Sequence, residues 1–412
     1  MQSRLLMGGV VLVCGLGIAS AADAGSCSEF TAPVWSYTPP EGTDAIFTGT
    51  ADPDGNLYWI EFQKPLETQQ LVSASRDGQL RYRSDFERSS KDRHLMTLGA
   101  VWADGRVLVA TEENHVRAFD AESGELVWDT AVDGGTSYYG QLTDTGAGVI
   151  VASYGAGLTG IDLATGGKLW THAGETSVST VSGDVFLGER DADRQIFLTK
   201  LGSDGNELWS EQVRGVPVAI INGELPAISG ASEITIRKEW WEIPSRDNVL
   251  AGNEFGSLLL AHSYGAVELQ TFSTEDGGLI GRQRVSDGEP RRVNATSLLT
   301  DDHVLLVSQE TTPCPCLCHP RTFQRSSVSA WSADDQQLFS CELPDVGEAG
   351  IEGASLYQGS LVIARRQYLS TSCTSQVQRL IIEGYDVPGE ELAQSGWVVP
   401  AGNPAQSRRP LQ

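Results

Sequence analysis

An eleven-residue pattern that recurs after about 40 residues constrains this chain more than any other feature. Residues 118–128 read AFDAESGELVW, and residues 160–170 read GIDLATGGKLW. Both segments carry a small residue, an aspartate two positions later, a Ser-Gly or Thr-Gly pair, and a tryptophan four positions after that glycine. A period of this length is typical of repeat proteins, in which each copy is one supersecondary unit that packs on its neighbours.

One copy predicts two strands joined by a tight turn. Residues 116–120 form the incoming strand and residues 125–130 the returning strand. Asp120 can accept hydrogen bonds from the turn backbone, and Gly124 supplies the positive φ that a tight turn often requires. Upstream, Asp104-Gly105 lies between two apolar runs and predicts a second hairpin. The unit is therefore four short antiparallel strands, which must stack on further copies to bury their faces.

Further copies allow the units to be counted. Residues 199–209 (TKLGSDGNELW) keep Gly205 and Trp209 but have Leu201 in place of the aspartate. Weaker turn signals are Asp77-Gly78, Asp276-Gly277, Asp334-Asp335 and Pro388-Gly389. The first hairpins of the units give an independent series: Asp54-Gly55, Asp104-Gly105, 146–148, Gly183-Asp184, Asn222-Gly223, 253–256, Asp301-Asp302 and Gln358-Gly359. The first series has seven signals, with a step of 72 residues from Trp209 to Gly281 that is nearly two units long, and the second series has eight. Both therefore point to eight units, with seven as the alternative if residues 216–245 are an insertion.

The pattern A-x-D-x-x-[ST]-G-x-x-x-W resembles the repeat of the PQQ-like (quinoprotein-like) β-propeller family, in which the tryptophan docks between adjacent blades. The resemblance implies an all-β fold, a single β-propeller of four-stranded antiparallel blades. It also implies that the recurring positions of the pattern are structural anchors rather than catalytic residues. These predicted anchors are Asp120, Gly124, Trp128, Asp162, Gly166, Trp170, Gly205 and Trp209.

The chain divides into four predicted segments. Residues 1–24 read as an export signal, with Arg4, an apolar core and small residues that allow cleavage after Ala21 or Ala24. Residues 25–45 form an N-terminal segment in which the strand 33–38, containing a tryptophan, closes the ring beside the last blade. The propeller covers residues 46–400, and residues 401–412 form a flexible C-terminal tail. The product is expected in the periplasm, in the cell envelope or outside the cell, and lipid attachment at Cys27 is an alternative.

The net charge of −25 narrows the classes of partner. A strongly acidic chain repels nucleic-acid phosphates and anionic lipid surfaces. The sequence therefore predicts no nucleic-acid binding, and it contains no apolar stretch suited to an integral membrane span beyond the signal. We expect a monomer that binds a protein or a component of the cell envelope.

Six cysteines remain once the signal is removed. An even number in an exported protein predicts three disulfides, with fifteen possible connectivities. Three of them stand close together in CPCLCH, which also suggests a thiolate metal site, but the C-x-C-x-C spacing is not that of zinc knuckles. We predict disulfides and no metal. The candidates are Cys27, Cys314, Cys316, Cys318, Cys341 and Cys373.

No catalytic constellation is evident. The six histidines are scattered, and no G-x-S-x-G sequence precedes a helix. Quinoprotein enzymes resemble one another in having a longer chain, adjacent paired cysteines and a calcium site, which this sequence lacks. It is more similar to the non-enzymatic propellers of bacterial envelope proteins. The sequence predicts a binding scaffold without a cofactor; the alternative is a PQQ-dependent dehydrogenase with its site at the channel mouth.

Overall fold

A computed structural model gives the architecture of the chain. It describes residues 27–63, 68–87, 100–111, 114–132, 140–154, 157–174, 176–180, 182–191, 193–214, 216–221, 225–229, 234–236, 241–243, 249–252, 259–261, 268–272, 279–284, 293–300, 303–312, 323–332, 336–346, 349–368 and 378–390. Within these ranges the regular structure is β-strand apart from a short 3-10 helix at Cys27–Phe30. None of the described helical residues forms a segment with the length and apolarity needed to cross a membrane.

In the described part of the chain, 32 strands pair into eight four-stranded antiparallel sheets, which we call blades 1 to 8 in chain order. Blade 1 contains β2 (Thr43–Ile46), β3 (Leu57–Gln63), β4 (Thr68–Ala74) and β5 (Leu80–Glu87), and blade 2 contains β6 (Ala100–Ala103), β7 (Arg106–Thr111), β8 (His115–Asp120) and β9 (Leu126–Ala131). Blade 3 contains β10 (Gly140–Asp144), β11 (Val149–Tyr154), β12 (Gly157–Asp162) and β13 (Lys168–Ala173), and blade 4 contains β14 (Thr176–Ser179), β15 (Val185–Arg190), β16 (Ile196–Leu201) and β17 (Glu207–Val213). Blade 5 contains β18 (Val216–Ile221), β19 (Leu225–Ser229), β20 (Ile234–Ile236) and β21 (Trp241–Ile243), and blade 6 contains β22 (Val249–Gly252), β23 (Leu259–Ala261), β24 (Glu268–Phe272) and β25 (Leu279–Arg284). Blade 7 contains β26 (Val293–Leu299), β27 (His303–Thr312), β28 (Phe323–Ser332) and β29 (Gln337–Glu342). Blade 8 contains β30 (Ala349–Tyr357), β31 (Ser360–Tyr368), β32 (Gln378–Asp386) and the N-terminal strand β1 (Trp35–Tyr37).

The blades are arranged in order around a centre. The first strands of successive blades lie side by side, as β10, β14, β18 and β22 do. The last strand of each blade therefore lies at the outer rim. Residues 216–245, which would be an insertion in a seven-bladed ring, contain the four paired strands of blade 5.

Blade 8 joins the two ends of the propeller. Its outermost strand is the N-terminal strand β1, which pairs with β32 and places Trp35 opposite Gly384. The predicted ring-closing segment 33–38 contains this strand. Residues 384–389 (GYDVPG) carry the small residue, the aspartate and the glycine of the repeat, and the N-terminal strand supplies the tryptophan. One copy of the pattern is thus divided between the two ends of the propeller.

The hydrophobic core lies between blades. One cluster joins Trp128 of blade 2 to Ile161 of blade 3, and another joins Trp59 of blade 1 to Ile382 of blade 8. The second and third strands of a blade are covered on both sheet faces, and all six residues of β11 are buried. Such strands read as continuous apolar runs instead of alternating patterns. The ring is therefore stabilised mainly by packing of one blade on the next.

Side-chain oxygens on the first strand of a blade, or just after it, link neighbouring blades. Thr50 donates a 2.5 Å hydrogen bond to the carbonyl of Ala100, and the hydroxyls of Thr143 and Ser177 lie 2.9 Å apart. These strands belong to different sheets, so backbone pairing does not join them. Buried hydroxyls here have hydrogen-bond partners in the next blade, which removes the cost of burying them.

The register of the third copy differs from the sequence alignment by one residue. Trp209 pairs with Lys200, whereas each tryptophan of the first two copies pairs with the small residue of the pattern. The turn is shorter, because Gly205 N donates to Gly202 O at 2.9 Å, three residues back, where the first two copies bond four residues back. Gly202, and not Leu201, therefore occupies the position of the aspartate.

Candidate binding surfaces of the propeller

The first hairpin and the repeat turn of each blade lie at the same end of the sheet, because two antiparallel strands separate them. Backbone hydrogen bonds join the two turns within one blade. We call this end of the propeller the turn face. The bonds run from Ala121 N to Gly105 O (3.0 Å), from Leu163 N to Gly148 O (2.9 Å) and from Val387 N to Gly359 O (2.7 Å).

The aspartates of the repeat shape these turns. Asp120 Oδ1 accepts hydrogen bonds from the backbone N and the hydroxyl of Ser123, both at 3.0 Å. Asp162 Oδ1 accepts the same two bonds from Thr165, both at 2.7 Å. These hydrogen bonds lower the pKa of both carboxyl groups, since they favour the ionised form. The Asp-x-x-[ST] part of the pattern is thus a local turn motif whose acid stays charged.

Aromatic residues of the outer strands contact the turn glycine of the next blade. Trp128 lies against Gly166, and its indole N–H donates to Leu163 O at 2.9 Å. Trp170 lies against Gly205 in the same way, with a longer 3.4 Å bond to Ser203 O. Two further pairs have this arrangement, Tyr82 on Gly124 and Trp35 on Gly78. The structure therefore brings the tryptophan of one repeat and the glycine of the next together.

The aromatic residues differ in burial. Trp128 is buried, whereas Trp170 and Trp209 are partly exposed. The outer strands lie at the rim, where the side chains are covered by one neighbouring turn instead of by a full sheet face. Trp128 is therefore the most enclosed of the three predicted tryptophan anchors, although Trp170 makes the same glycine contact.

Gly166→Ala should destabilise the protein by about 2–4 kcal/mol, and Gly105→Ala by about 1–2 kcal/mol. Both glycines have positive φ, +73° and +75°, so each alanine carries the backbone penalty of the left-handed region. A Cβ on Gly166 would also lie 2.7 Å from the Trp128 ring, whereas one on Gly105 meets no atom within 4 Å. Urea unfolding measures the difference. Equal losses for the two variants would contradict the packing of Trp128 on Gly166.

Two of the six predicted disulfide cysteines lie in the described residues, and they are bonded to each other. Cys27 is disulfide-bonded to Cys341 on β29, and Phe30 is buried beside Phe339 and Tyr385. The N-terminal segment thus contacts blade 7 before it enters blade 8. The remaining candidates, Cys314, Cys316, Cys318 and Cys373, lie outside the described residues.

Two hairpins extend from the end opposite the turn face. The paired strands β27 and β28 have ten residues each, and β31 and β32 have nine, compared with six in β11 and β12. The cysteine-bearing connections 313–322 and 369–377 join these strands in blades 7 and 8. Both connections therefore start from neighbouring blades on the same side of the ring.

Buried charged side chains with polar partners are a feature that the repeat pattern does not reveal. Arg365 and Glu383 are diagonal neighbours on β31 and β32, with 2.7 Å between Arg365 Nε and Glu383 Oε2. At the interface of blades 8 and 1, Glu61 accepts a hydrogen bond from Trp59 Nε1 at 2.9 Å and another from the hydroxyl of Tyr37. Charged residues inside otherwise apolar strands were the available signal, but their pairing depends on a register that the sequence does not contain.

The histidine nearest to a carboxylate forms an ion-pair network and not a metal cluster. His115 Nδ1 lies 2.6 Å from Asp129 Oδ1, and Arg117 Nε donates to Asp129 Oδ2 at 2.9 Å. Burial alone would raise the pKa of Asp129, but the hydrogen bonds and charges of Arg117 and His115 outweigh it and lower that pKa. Among the residues that the structure describes, no three His, Cys, Asp or Glu side chains are grouped to hold a metal.

Comparison with known proteins agrees with the propeller architecture. The crystal structure of BamB from Moraxella catarrhalis aligns with a TM-score of 0.53 and 10% identity, over 87% of this chain and 98% of that one. The C-terminal WD40 domain of Sif2 aligns with a TM-score of 0.56 and 9% identity, over 86% and 99% of the two chains. Comparison with curated protein sequences gives no match. A family model described as outer membrane protein assembly factor BamB matches residues 67–339, which is more than half of the chain. The chain therefore belongs to this BamB family of PQQ-like propellers.

Proposed function

We propose that this protein is an exported, non-enzymatic propeller scaffold that binds a protein partner of the cell envelope through its loops. The main support for the proposal is the backbone hydrogen bonding between the two turns of a blade on the turn face. In each of three blades, a backbone hydrogen bond of 2.7–3.0 Å holds the first hairpin against the repeat turn. Turns fixed in this way lose little conformational entropy when a partner binds, which favours recognition.

The exposed residues of the turn face suit polar recognition. Asp104, Glu122 and Ser123 are exposed in blade 2, and Ala164 and Thr165 are exposed in blade 3. The same positions recur from blade to blade, so one partner could contact several blades at once. A partner that makes several such contacts gains affinity without a deep pocket.

The long hairpins of blades 7 and 8 are the second proposed contact. Their ten- and nine-residue strands lengthen blades 7 and 8 at the end opposite the turn face, and the connections 313–322 and 369–377 follow these strands in the sequence. Binding residues are often found on loops that a rigid scaffold holds in position, and a lengthened loop offers more surface for a specific contact. We propose that these two connections give this propeller its own partner specificity.

Export is part of the proposal, and Cys27 bears on how the protein is retained. A cysteine that carries a thioether-linked lipid cannot also form a disulfide, since both use the same sulfur atom. Cys27 Sγ is bonded to Cys341, which favours release of the mature protein without a lipid at this residue. A persistent disulfide also agrees with an oxidising compartment. Intact-mass analysis of the protein purified from cells tests this point, and a diacylglycerol adduct on Cys27 would overturn it.

We also propose that the anchor residues of the repeat act in blade-to-blade packing and not in chemistry. Support comes from the contacts of Trp128 with Gly166 and of Trp170 with Gly205. The aspartates support the same role, because their oxygens accept bonds from their own turns. The comparison of Gly166→Ala with Gly105→Ala tests this role.

Replacing a single hairpin connection tests the scaffold function. Thr312 pairs with Phe323 and Tyr368 pairs with Gln378, so an Asn-Gly turn can replace residues 313–322 or residues 369–377 without a change of register. Each variant serves as the control for the other, and both carry Cys373→Ser or lack that residue. We expect recovery of one envelope protein from cross-linked cells to fall about tenfold in at least one variant, while the thermal midpoint is kept.

A parallel titration tests the enzymatic alternative. Purified protein is mixed with pyrroloquinoline quinone and calcium, and its absorbance and dye-linked dehydrogenase activity are followed. We expect no bound chromophore and no activity. A stoichiometric quinone spectrum with turnover of an alcohol or a sugar would overturn the scaffold function.

A further inference from the structure

Exposed aliphatic side chains are concentrated at one place in the fold. Seven large hydrophobic side chains are exposed in the described residues, and all of them lie on the outermost strand of a blade or directly beside it. Each lies within two positions of an aromatic residue on the same outer strand. They are Val34, Leu80, Leu126, Val127, Leu169, Leu208 and Leu338. Exposed hydrophobic residues scattered singly need no explanation, but a recurrent position on the rim does.

These strands also have an outer edge. In the order of each sheet, β9, β13 and β17 are terminal, with a neighbouring strand on one side only. Terminal strands present a row of backbone donors and acceptors to any extended segment that approaches. An added strand would gain main-chain hydrogen bonds along this edge, and the exposed aliphatic residue would fix its register.

Charge distinguishes the three best-described edges. In β9 and its turn, Glu125 is exposed next to Leu126, and Glu207 is exposed next to Leu208 at the start of β17. The residue before Leu169 in β13 is Lys168, at the repeat position of Glu207, whereas Glu125 lies one repeat position earlier. The edges of blades 2 and 4 therefore present an aliphatic residue with a carboxylate, and the edge of blade 3 presents one with an ammonium group.

The same charges decide which occupant fits. A second copy of this chain carries a net charge of −25 and would bring like charges together at these edges. An anionic lipid surface is disfavoured for the same reason. A cationic, extended polypeptide segment instead combines the opposite charge with the backbone and apolar groups that the edges offer.

We propose that β9 and β17 are docking edges for an extended, cationic segment of a partner polypeptide, which binds as a fifth strand of blades 2 and 4. This inference rests on the proposed scaffold function and adds a partner chemistry to it. The carboxylates of Glu125 and Glu207 face the cationic side chains of the segment. The neighbouring aliphatic side chains contact its apolar side chains, which alternate with the charged ones.

A synthetic peptide provides the probe. It alternates valine with lysine or threonine, carries a fluorescent label, and is titrated into the full-length mature protein at low and physiological salt. Two control peptides have glutamate in place of lysine, or two adjacent prolines at the centre. We expect saturable binding of the lysine peptide that weakens with salt, and at least about tenfold weaker binding of both controls.

Charge variants then locate the binding. Glu125→Lys/Glu207→Lys gives blades 2 and 4 the charge that blade 3 has, and should weaken peptide binding about tenfold. Lys168→Glu gives blade 3 the charge of the other two, and should add a third site. The matched control, Glu41→Lys/Asp54→Lys, changes the net charge equally at exposed residues away from the outer strands and should change affinity less than about twofold.

Hydrogen exchange supplies the positional readout. On addition of the lysine peptide, backbone amides in residues 126–131 and 207–213 should gain protection, and those in residues 168–173 should not. Absence of binding, equal effects of the two charge pairs, or equal binding of the proline peptide would each overturn strand addition. Because the hairpin replacements leave the edges unchanged, the scaffold function and this inference can fail independently.

Discussion

Removal of the Cys27–Cys341 disulfide is expected to lower the free energy of unfolding by about 3–5 kcal/mol. The bond joins residues 314 positions apart, so the reduced unfolded chain gains much more freedom than a short loop would give. It also holds the N-terminal segment against blade 7, next to the three-residue strand β1 that completes blade 8. Loss of the bond should therefore loosen the closure of the ring in addition to destabilising the chain.

The variant for this test is Cys27→Ser/Cys341→Ala, compared with the wild type in urea unfolding, each with and without reductant. Reductant should destabilise the wild type toward the level of the variant. Limited proteolysis should cut the variant faster within residues 27–37. If reductant lowers the stability of the variant as much as that of the wild type, the other cysteines are responsible and the effect assigned to this bond is wrong.

The cysteines show what a sequence can and cannot provide. Their even number and the export signal predict disulfides, but six cysteines allow fifteen pairings. Cys27 and Cys341 are near one another only because the N-terminal segment returns to the last two blades. A contact between the two ends of a chain depends on closure of the whole ring, and no local pattern records it.

The repeat was predictable where one short segment contains all its parts. Asp120 and Gly124 act on the backbone around them, so their spacing alone predicts the turn. The third copy was misaligned by one residue at Leu201, because a shorter turn can keep the same glycine and tryptophan. Turn length sets the register, and a sequence comparison does not distinguish a shorter turn from a substitution.

The candidate binding edges were visible only in part. The hydrophobic residue before each tryptophan can be read from the sequence, as Leu169 and Leu208 show. Its exposure could not be read, since β-strands of a propeller are buried on both faces near the centre and on one face at the rim. The position of a strand within its blade decides between core and surface, and this follows from the sheet order.

Blade 8 makes polar side-chain contacts with both of its neighbours. Arg365 and Arg366 are adjacent on β31, so their side chains point to opposite faces of the sheet. Arg365 donates to Pro344 O beside blade 7 at 2.7 Å, and Arg366 donates to Ala45 O in blade 1 at 2.8 Å. The last blade is thus joined to both of its neighbours through backbone carbonyls. Each guanidinium also has its own carboxylate, and Glu383 is the partner of Arg365.

Arg365→Met should lower the free energy of unfolding by about 3–5 kcal/mol. The substitution leaves the buried carboxylate of Glu383 without its cation, and both side chains are nearly inaccessible to solvent. The double variant Arg365→Met/Glu383→Leu removes that isolated charge and should lose only about 1–2 kcal/mol, because Pro344 O still loses its donor.

The exposed pair Arg106–Asp120, with 2.9 Å between the charged atoms and side chains about one third accessible, is the control. Arg106→Met should change stability by about 0–1 kcal/mol. Urea unfolding of the wild type and the three variants measures these differences. Two outcomes would contradict a ring closure that depends on a paired buried charge. The first is that Arg365→Met lowers the free energy of unfolding no more than Arg106→Met does. The second is that the double variant is less stable than Arg365→Met alone. Recovery in the double variant would instead show that the single variant is destabilised mainly by the carboxylate left unpaired in the last blade, because a well-packed apolar pair can replace a buried ion pair.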